Sequence, residues 1–235
     1  MKETIIKIIN DLSGSYPPHV VFDDWVKAGA IAIQNEYTNK QIDDAWEKRE
    51  KEYVDILNKY RDPLQAQKKM AMMLDLLAIE ADDGERDLLG EIYMEIGASS
   101  DKSGQFFTPF HISEMNAEAG LSEILNNYDG KEIELTEPSC GSGGMIIATA
   151  KILRKNGINY QDVLNVLAYD IEWRCVYMTY VQLSLYGINA GIIRTDALTD
   201  GRKIGIHEVL LTPRKLIDYA KNTTRRNHHS AETLS

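Results

Sequence analysis

Between Glu137 and Gly144 the chain reads Glu-Pro-Ser-Cys-Gly-Ser-Gly-Gly. An acidic residue is followed there by a turn whose glycines permit tight backbone geometry and close approach to a ligand. About thirty residues further on, Asp170 closes a run of Val, Leu and Ala, where a carboxylate can accept both hydroxyls of a ribose. That placement suits a nucleoside cofactor. The same aspartate also reads as a helix N-cap before Ile171. The glycine run lacks the Gly-Lys-Ser/Thr ending of a nucleotide P-loop, which counts against a phosphate cradle.

Elements able to position these residues follow from the hydrophobic pattern. After Asp101-Lys102-Ser103-Gly104 the chain alternates between strand and helix candidates, the signature of a parallel sheet wrapped by helices. Strands are expected at Ile133–Thr136, Asn165–Tyr169, Gly191–Arg194 and Glu208–Leu211. Helices are expected at Met145–Lys155, ended by Gly157, and Cys175–Tyr186, ended by Gly187. Right-handed crossovers would then gather ligands outside the carboxyl ends of the strands. Upstream the sequence reads as helical. Thr38 or Asn39 would cap a helix running to Tyr60 through Ile42, Ala45, Trp46, Tyr53, Ile56 and Leu57. Asp62-Pro63 supplies a cap and a first-turn proline for the apolar Met70–Ile79 region. Another helix fits Asp87 to Ile96 before Gly97, and Met70, Met72 and Met73 read as core filler. The expected organisation is a helical N-terminal domain over residues 1–100, an α/β domain with a mostly parallel sheet over 101–220, and a polar basic tail over 221–235, expected to be disordered.

Composition narrows the classes of function. Of 235 residues, 43% are apolar and 26% charged, ordinary for a globular chain with a real core. No stretch approaches the roughly 18 uninterrupted apolar residues of a membrane helix, and the N-terminus lacks the long apolar run of a signal peptide. A cytoplasmic location without a membrane partner is expected. Two cysteines, Cys140 and Cys175, make neither a disulfide framework nor a four-ligand zinc site, so reduced thiols and no metal are expected. The formal charge of −10 argues against nucleic acid at first sight, but it is unevenly spread. From Arg202 to Ser235 seven basic residues face three acidic ones, a net of +4, which leaves −14 on the rest. A basic end permits phosphate contact and equally fits a solvated tail.

Four segments taken in order resemble the motifs of adenine-N6 DNA methyltransferases, most closely the modification subunit of type I restriction-modification systems. They are Gly104-Gln105-Phe106-Phe107-Thr108-Pro109, then Glu137 to Gly144, then Asp170-Ile171, and finally Thr195-Asp196-Ala197-Leu198. The helical N-terminal region is similar in kind to the domain that precedes catalysis in those subunits. The resemblance implies a Rossmann-like fold and an S-adenosylmethionine pocket. Phe107, Thr108 and Pro109 would close over the methionine end. Glu137, Pro138 and the backbone of Gly141, Ser142 and Gly143 would hold its amino acid moiety. Asp170 and Ile171 would take the ribose end, and Asp196 with Ala197 the adenine. Thr108-Pro109 also makes a good helix start, and Asp196 also caps a turn.

The family reaction further needs an Asn/Asp-Pro-Pro-aromatic motif whose acceptors hold the flipped adenine's amino group. No such tetrapeptide occurs. After the fourth expected strand stands Leu211-Thr212-Pro213-Arg214-Lys215, so Thr212 and Pro213 mark a degenerate catalytic position. The resemblance implies a sheet of about seven strands, whereas four are legible, and the sheet therefore reads as C-terminally shortened. Its fourth strand is expected at an edge needing cover, from Lys215–Ala220, from the N-terminal helices or from another chain. A homo-oligomer or a partner subunit is expected accordingly. Two functions compete. One is a reduced adenine-N6 DNA methyltransferase, or a modification subunit completed by another polypeptide that supplies DNA recognition and catalysis. The other is a catalytically inactive scaffold acting through protein contacts, such as a restriction or anti-restriction regulator.

Overall fold

Asp62 and Pro63 begin a helix as their order requires. The Asp62 side chain accepts the Gln65 N–H at 3.0 Å, and Pro63 occupies the first turn, where its missing donor is not needed. In the computed structural model, which describes residues 1–14, 16–38, 45–97, 106–198 and 208–221, this is the fourth of the five helices described within residues 1–97. They are α1 (Lys2–Leu12), α2 (Pro18–Tyr37), α3 (Trp46–Leu57), α4 (Pro63–Asp82) and α5 (Leu88–Gly97). Thr38 does not start α3. Its N–H and its hydroxyl both donate to the Gln34 carbonyl, at 3.0 and 2.7 Å, so it finishes α2. Helix α3 starts later, at Trp46, whose indole N–H donates to the Asn35 carbonyl at 3.2 Å. Asn39 and Ile42 lie outside the described residues. Met70 and Met73 are buried as expected of core filler, whereas Met72 faces solvent.

Pro109 opens α6 (Phe110–Asn126). Next come β1 (Ile133–Glu137), α7 (Gly144–Lys155), the single turn α8 (Tyr160–Val163), β2 (Leu164–Asp170), α9 (Trp173–Leu185), β3 (Asn189–Arg194), β4 (Val209–Leu211) and a helix over 213–221, α10. The sheet order is β1-β2-β3-β4. The first three strands are parallel, Ile133 opposite Leu164 and Val166 opposite Ala190. This is an α/β fold with a helical N-terminus and a mostly parallel sheet. The fourth strand departs from the doubly wound order, in which it would run parallel beside the first. It runs antiparallel beside β3, Gly191 opposite Leu211. A parallel return needs a long crossover, usually helical, and Thr195–His207 carries Asp, Gly and Thr with no helical apolar period. Thr212 fixes the arrangement: its backbone N–H donates to the Ala190 carbonyl at 3.0 Å, while its hydroxyl accepts the Ala190 N–H at 3.0 Å and donates to the Ile188 carbonyl at 2.8 Å.

One face of the sheet carries the core. Leu164, Val166, Ala168 and Asp170 are buried, and the alternate residues Asn165, Leu167 and Tyr169 are not, because α9 packs on β2 and β3 and α7 on β1. Helix α2 packs in turn on α9, and one buried cluster runs from Ile5, Phe22 and Trp25 through Tyr93 and Tyr180 to Ile147, Val166 and Ile192. Arg174 of α9 pins this junction. It donates to Asp23 of α2 at 2.7 Å and to the Tyr93 hydroxyl of α5 at 2.8 Å. The opposite face leaves Glu134, Thr136 and Leu167 exposed, and among the described residues the outer edge of β1 has no strand beside it. Among the described residues no helix is long and apolar enough to cross a membrane. Replacing the buried Thr212 hydroxyl by a methyl in Thr212→Val should lower stability by about 1–3 kcal/mol in urea denaturation, since a buried N–H and a carbonyl lose their partner.

Candidate functional site

The register of β1 and β2 delivers two loops to one rim. Cys140 N–H donates to the Tyr169 carbonyl at 2.8 Å, which lays the glycine loop across the end of β2. There the Asp170 carboxylate, 7% exposed, accepts the Gly141 N–H at 3.0 Å through one oxygen and the Glu172 N–H at 2.9 Å through the other. Gly141 and Gly143 both take positive φ, +55° and +95°, as the tight turn demands. Thr179 of α9 donates its hydroxyl to the Gly141 carbonyl at 3.0 Å. Glu137 ends β1 half-buried and accepts the Ser139 N–H at 3.1 Å. Burial lifts its carboxyl above the ordinary glutamate range, and the nearby Asp170 charge adds to the lift.

Around this centre the structure gathers most of the residues singled out by sequence. The Phe107 ring packs on Tyr93 at 5.3 Å between centroids, and it lies so close to the loop that a Cβ on Gly141 would meet it at 3.1 Å. Thr108 and Pro109 are exposed beside it, with Pro109 also serving as the α6 N-cap. Pro138 is exposed at the β1 end of the rim. Ile171 is 59% exposed, an apolar surface directly after the buried carboxylate. Thr195 N–H donates to the Asp170 carbonyl at 2.9 Å, which brings the exposed Asp196 and Ala197 to the same rim; there Asp196 accepts the Leu198 N–H at 3.0 Å, closing a turn. Gly104 and Gln105 lie outside the described residues.

The Ser142 side chain is buried and donates to Asp87, so only its backbone remains for a ligand, the part expected to serve one. One expectation needs correction. Thr212 and Pro213 do not sit at the rim. Because β4 is antiparallel, its end lies beside the beginning of β3, at the opposite end of the sheet from Asp170. Sequence reading also missed three residues that hold the loop: Asp87, Thr179 and Gln182. Only Asp87 carried a legible signal, as a cap three residues before Gly90 at the start of a helix. Cys140 and Cys175 are free and buried. Burial pushes the Cys140 thiol up to about 12, so it stays protonated and is not a nucleophile. A separate groove of about 1000 Å³ lies between α2, α3, α9 and β4, with Ile171 and Glu172 of the rim among its lining residues. Within it Arg174 pairs with Asp23 and Lys27 with Glu52, while Asp24 and Arg194 pair with Lys59 and Glu208 outside its lining. Among the described residues no group of three or more His, Cys, Asp or Glu could hold a metal ion.

The sequence profile of the family described as N-6 DNA Methylase matches residues 84–228. The chain belongs to that family. It is also similar to the crystal structure of a protein from Listeria monocytogenes assigned to the class I S-adenosylmethionine-dependent methyltransferases. Sequence identity there is 13%, the TM-score is 0.44, and the match covers 78% of this chain and 56% of that one. Comparison with curated proteins returns no match. Membership of the N-6 DNA methylase family implies S-adenosylmethionine as the cofactor, and the residues present fit it. A carboxylate at the end of β2, an exposed apolar side chain beside it, a glycine loop and a second carboxylate at the end of β1 meet at one rim of the sheet. The loop geometry is itself open to test. Gly141→Ala should destabilise the protein by about 1–2 kcal/mol in denaturant titration, and adding Phe107→Ala, which clears the ring from the new methyl, should recover part of that loss relative to Phe107→Ala alone.

Proposed function

We propose that this chain is the S-adenosylmethionine-binding part of an adenine-N6 DNA methylase of the type I modification-subunit kind. The observation that carries the reading is the meeting of the Gly141 amide with the Asp170 carboxylate at the rim, 3.0 Å apart. In this reading Asp170 retains acceptor capacity for ribose hydroxyls, Ile171 offers apolar contact beside the ribose, and Asp196 accepts from the exocyclic amine of the cofactor's adenine. Glu137 and the backbone of Gly141, Ser142 and Gly143 take the amino acid moiety, while Phe107, Thr108 and Pro109 wall the methionine end. Pro138 and Ala197 shape the two loops. When bound, the cofactor supplies a methyl carbon made electrophilic by its sulfonium. Helices α2 and α5 support the loop through α9 and Asp87, and the basic segment at 221–235 adds phosphate contacts to DNA.

What this reading lacks within the described residues is a group to hold the amine of the target adenine in DNA, since Thr212 and Pro213 are at the far end of the sheet. A further polypeptide segment supplies it, in a partner subunit or a second copy, and the outer edge of β1 is where it would enter. A strand running parallel there would end beside Glu137, next to the cofactor. A cytoplasmic, oligomeric modification enzyme is the form this takes. The displaced Thr212-Pro213 equally supports a second reading, a methyltransferase scaffold that keeps the cofactor cleft and works through protein contacts.

Calorimetry with S-adenosylmethionine should show binding that Asp170→Ala weakens at least about tenfold, as loss of a buried charged acceptor predicts; no heat at millimolar cofactor would reject both readings. Glu137 must be ionised to hold an ammonium group. Because its carboxyl titrates above the ordinary glutamate value, affinity should fall as pH drops through that raised value and be fully present only above it. Glu137→Gln should bind weakly and with a flat profile. Labelled methyl incorporation into mixed-sequence DNA, above that of a Gly143→Val control, decides for the enzyme over the scaffold.

A further inference from the structure

A closed set of hydrogen bonds joins the helical layer to the underside of the glycine loop. Asp87, just before α5, is 3% exposed, Ser142 3% and Gln182 2%. One Asp87 oxygen accepts the Gly90 N–H at 3.0 Å and the Gln182 amide at 2.8 Å, and the other accepts the Ser142 hydroxyl. Gln182 also donates to the Ser142 carbonyl at 2.8 Å, and its own carbonyl accepts the Leu89 N–H at 3.1 Å. Both of its amide hydrogens and its oxygen are thus engaged. The backbone is shaped around the carboxylate. A Cβ on Gly90 would fall 2.2 Å from an Asp87 oxygen, and one on Gly144 would fall 2.9 Å from the same atom.

The consequence reaches the cleft through peptide geometry. The carbonyls of Gly141 and Ser142 are both drawn toward α9, by Thr179 and Gln182. No peptide in the described chain is cis, so the Ser142 N–H, on the same peptide plane as the Gly141 carbonyl, is turned away from α9. Held from below at Ser142, the loop presents its upper backbone in one orientation.

We propose that Asp87 is a positioning residue for the cofactor: through Ser142 and Gln182 it fixes the orientation of the Gly141–Gly143 backbone that receives the amino acid moiety. This rests on the cofactor reading of the cleft. Asp87 touches no ligand itself, and its effect is selective. Ligands that reach the loop depend on it, and those that use only the Asp170 and Asp196 side of the cleft do not.

The test compares S-adenosylhomocysteine, which carries the amino acid moiety, with adenosine, which lacks it, by calorimetry on the full chain well below each variant's Tm. Asp87→Ala leaves three buried donors without an acceptor and should weaken S-adenosylhomocysteine about tenfold or more, with adenosine within about twofold of wild type. Asp87→Asn keeps the volume and an acceptor for Gly90 and should fall in between, which gives a reading if the alanine variant does not fold. Asp87→Ala combined with Ser142→Ala should bind no worse than Asp87→Ala alone, because Ser142 acts through the same contact. Unchanged affinity for S-adenosylhomocysteine, or equal weakening of both ligands, would overturn the proposal. Wild-type protein that binds neither ligand would reject the cofactor reading instead. Amide exchange then reads the clamp directly: faster exchange at residues 141–144 in Asp87→Asn supports it, and unchanged protection overturns it.

Discussion

A carboxylate at the end of one strand can receive an amide from the loop leaving its neighbour only if both strands run the same way and in the right register. That is the constraint on which this molecule depends. Leu135 sits opposite Val166 and Glu137 opposite Ala168, so the loop leaving β1 crosses the end of β2 where Asp170 stands. Asp170 shares its face with Leu164, Val166 and Ala168, and a slip of one residue would turn it to the other side. Held where it is, the buried carboxylate is stabilised by two amides, those of Gly141 and Glu172, and charge-assisted bonds of this kind are the strong ones. The same pairing that builds the sheet therefore builds the cleft.

The cleft is also held from outside the sheet. Burial pushes Asp87 above the usual carboxylate range, and hydrogen bonds from Ser142, Gln182 and Gly90 oppose that shift. A buried acid whose oxygens are all engaged is tolerable where an unpaired one would not be. Tyr186 at the end of α9 adds a second link, its hydroxyl accepting the Arg86 N–H at 3.0 Å, and Arg174 adds a third through Asp23 and Tyr93. These polar links flank the apolar cluster common to α2, α5 and α9. Such bonds fix orientation, which apolar contact alone leaves loose, and orientation is what a glycine loop with two left-handed residues lacks by itself.

Much of the fold was legible because its signals are local. The Asp62-Pro63 start, the glycines after α7 and α9, and the three parallel strands are each written within a few residues. The glycine loop and Asp170 were legible for the same reason. What failed was information carried between distant segments. Thr38 looks like a cap for a helix on its C-terminal side, but its hydroxyl is taken by the helix behind it, and no local pattern separates the two uses. The direction of β4 depends on which edge its few residues meet, and Thr212 decides that through Ile188 and Ala190. The use of the Ser142 hydroxyl is not written locally either, since its acceptor, Asp87, stands fifty-five positions away.

The direction of β4 ties the chemistry to the uncovered face. Parallel sheets are ordinarily covered on both sides, yet Glu134, Thr136 and Leu167 here face solvent and β1 has no described neighbour on its outer side. In the doubly wound order the next strand would occupy that edge and its helix would lie over that face. Such a strand would carry its final residues to the rim beside Glu137. Within the described residues, β4 cannot do this, since it is two strands removed from β1 and points the other way. Within the described residues the open side of the sheet and the end of β1 beside Glu137 therefore lie together, and under the proposed function whatever closes the sheet at β1 would also be in position to hold the target adenine.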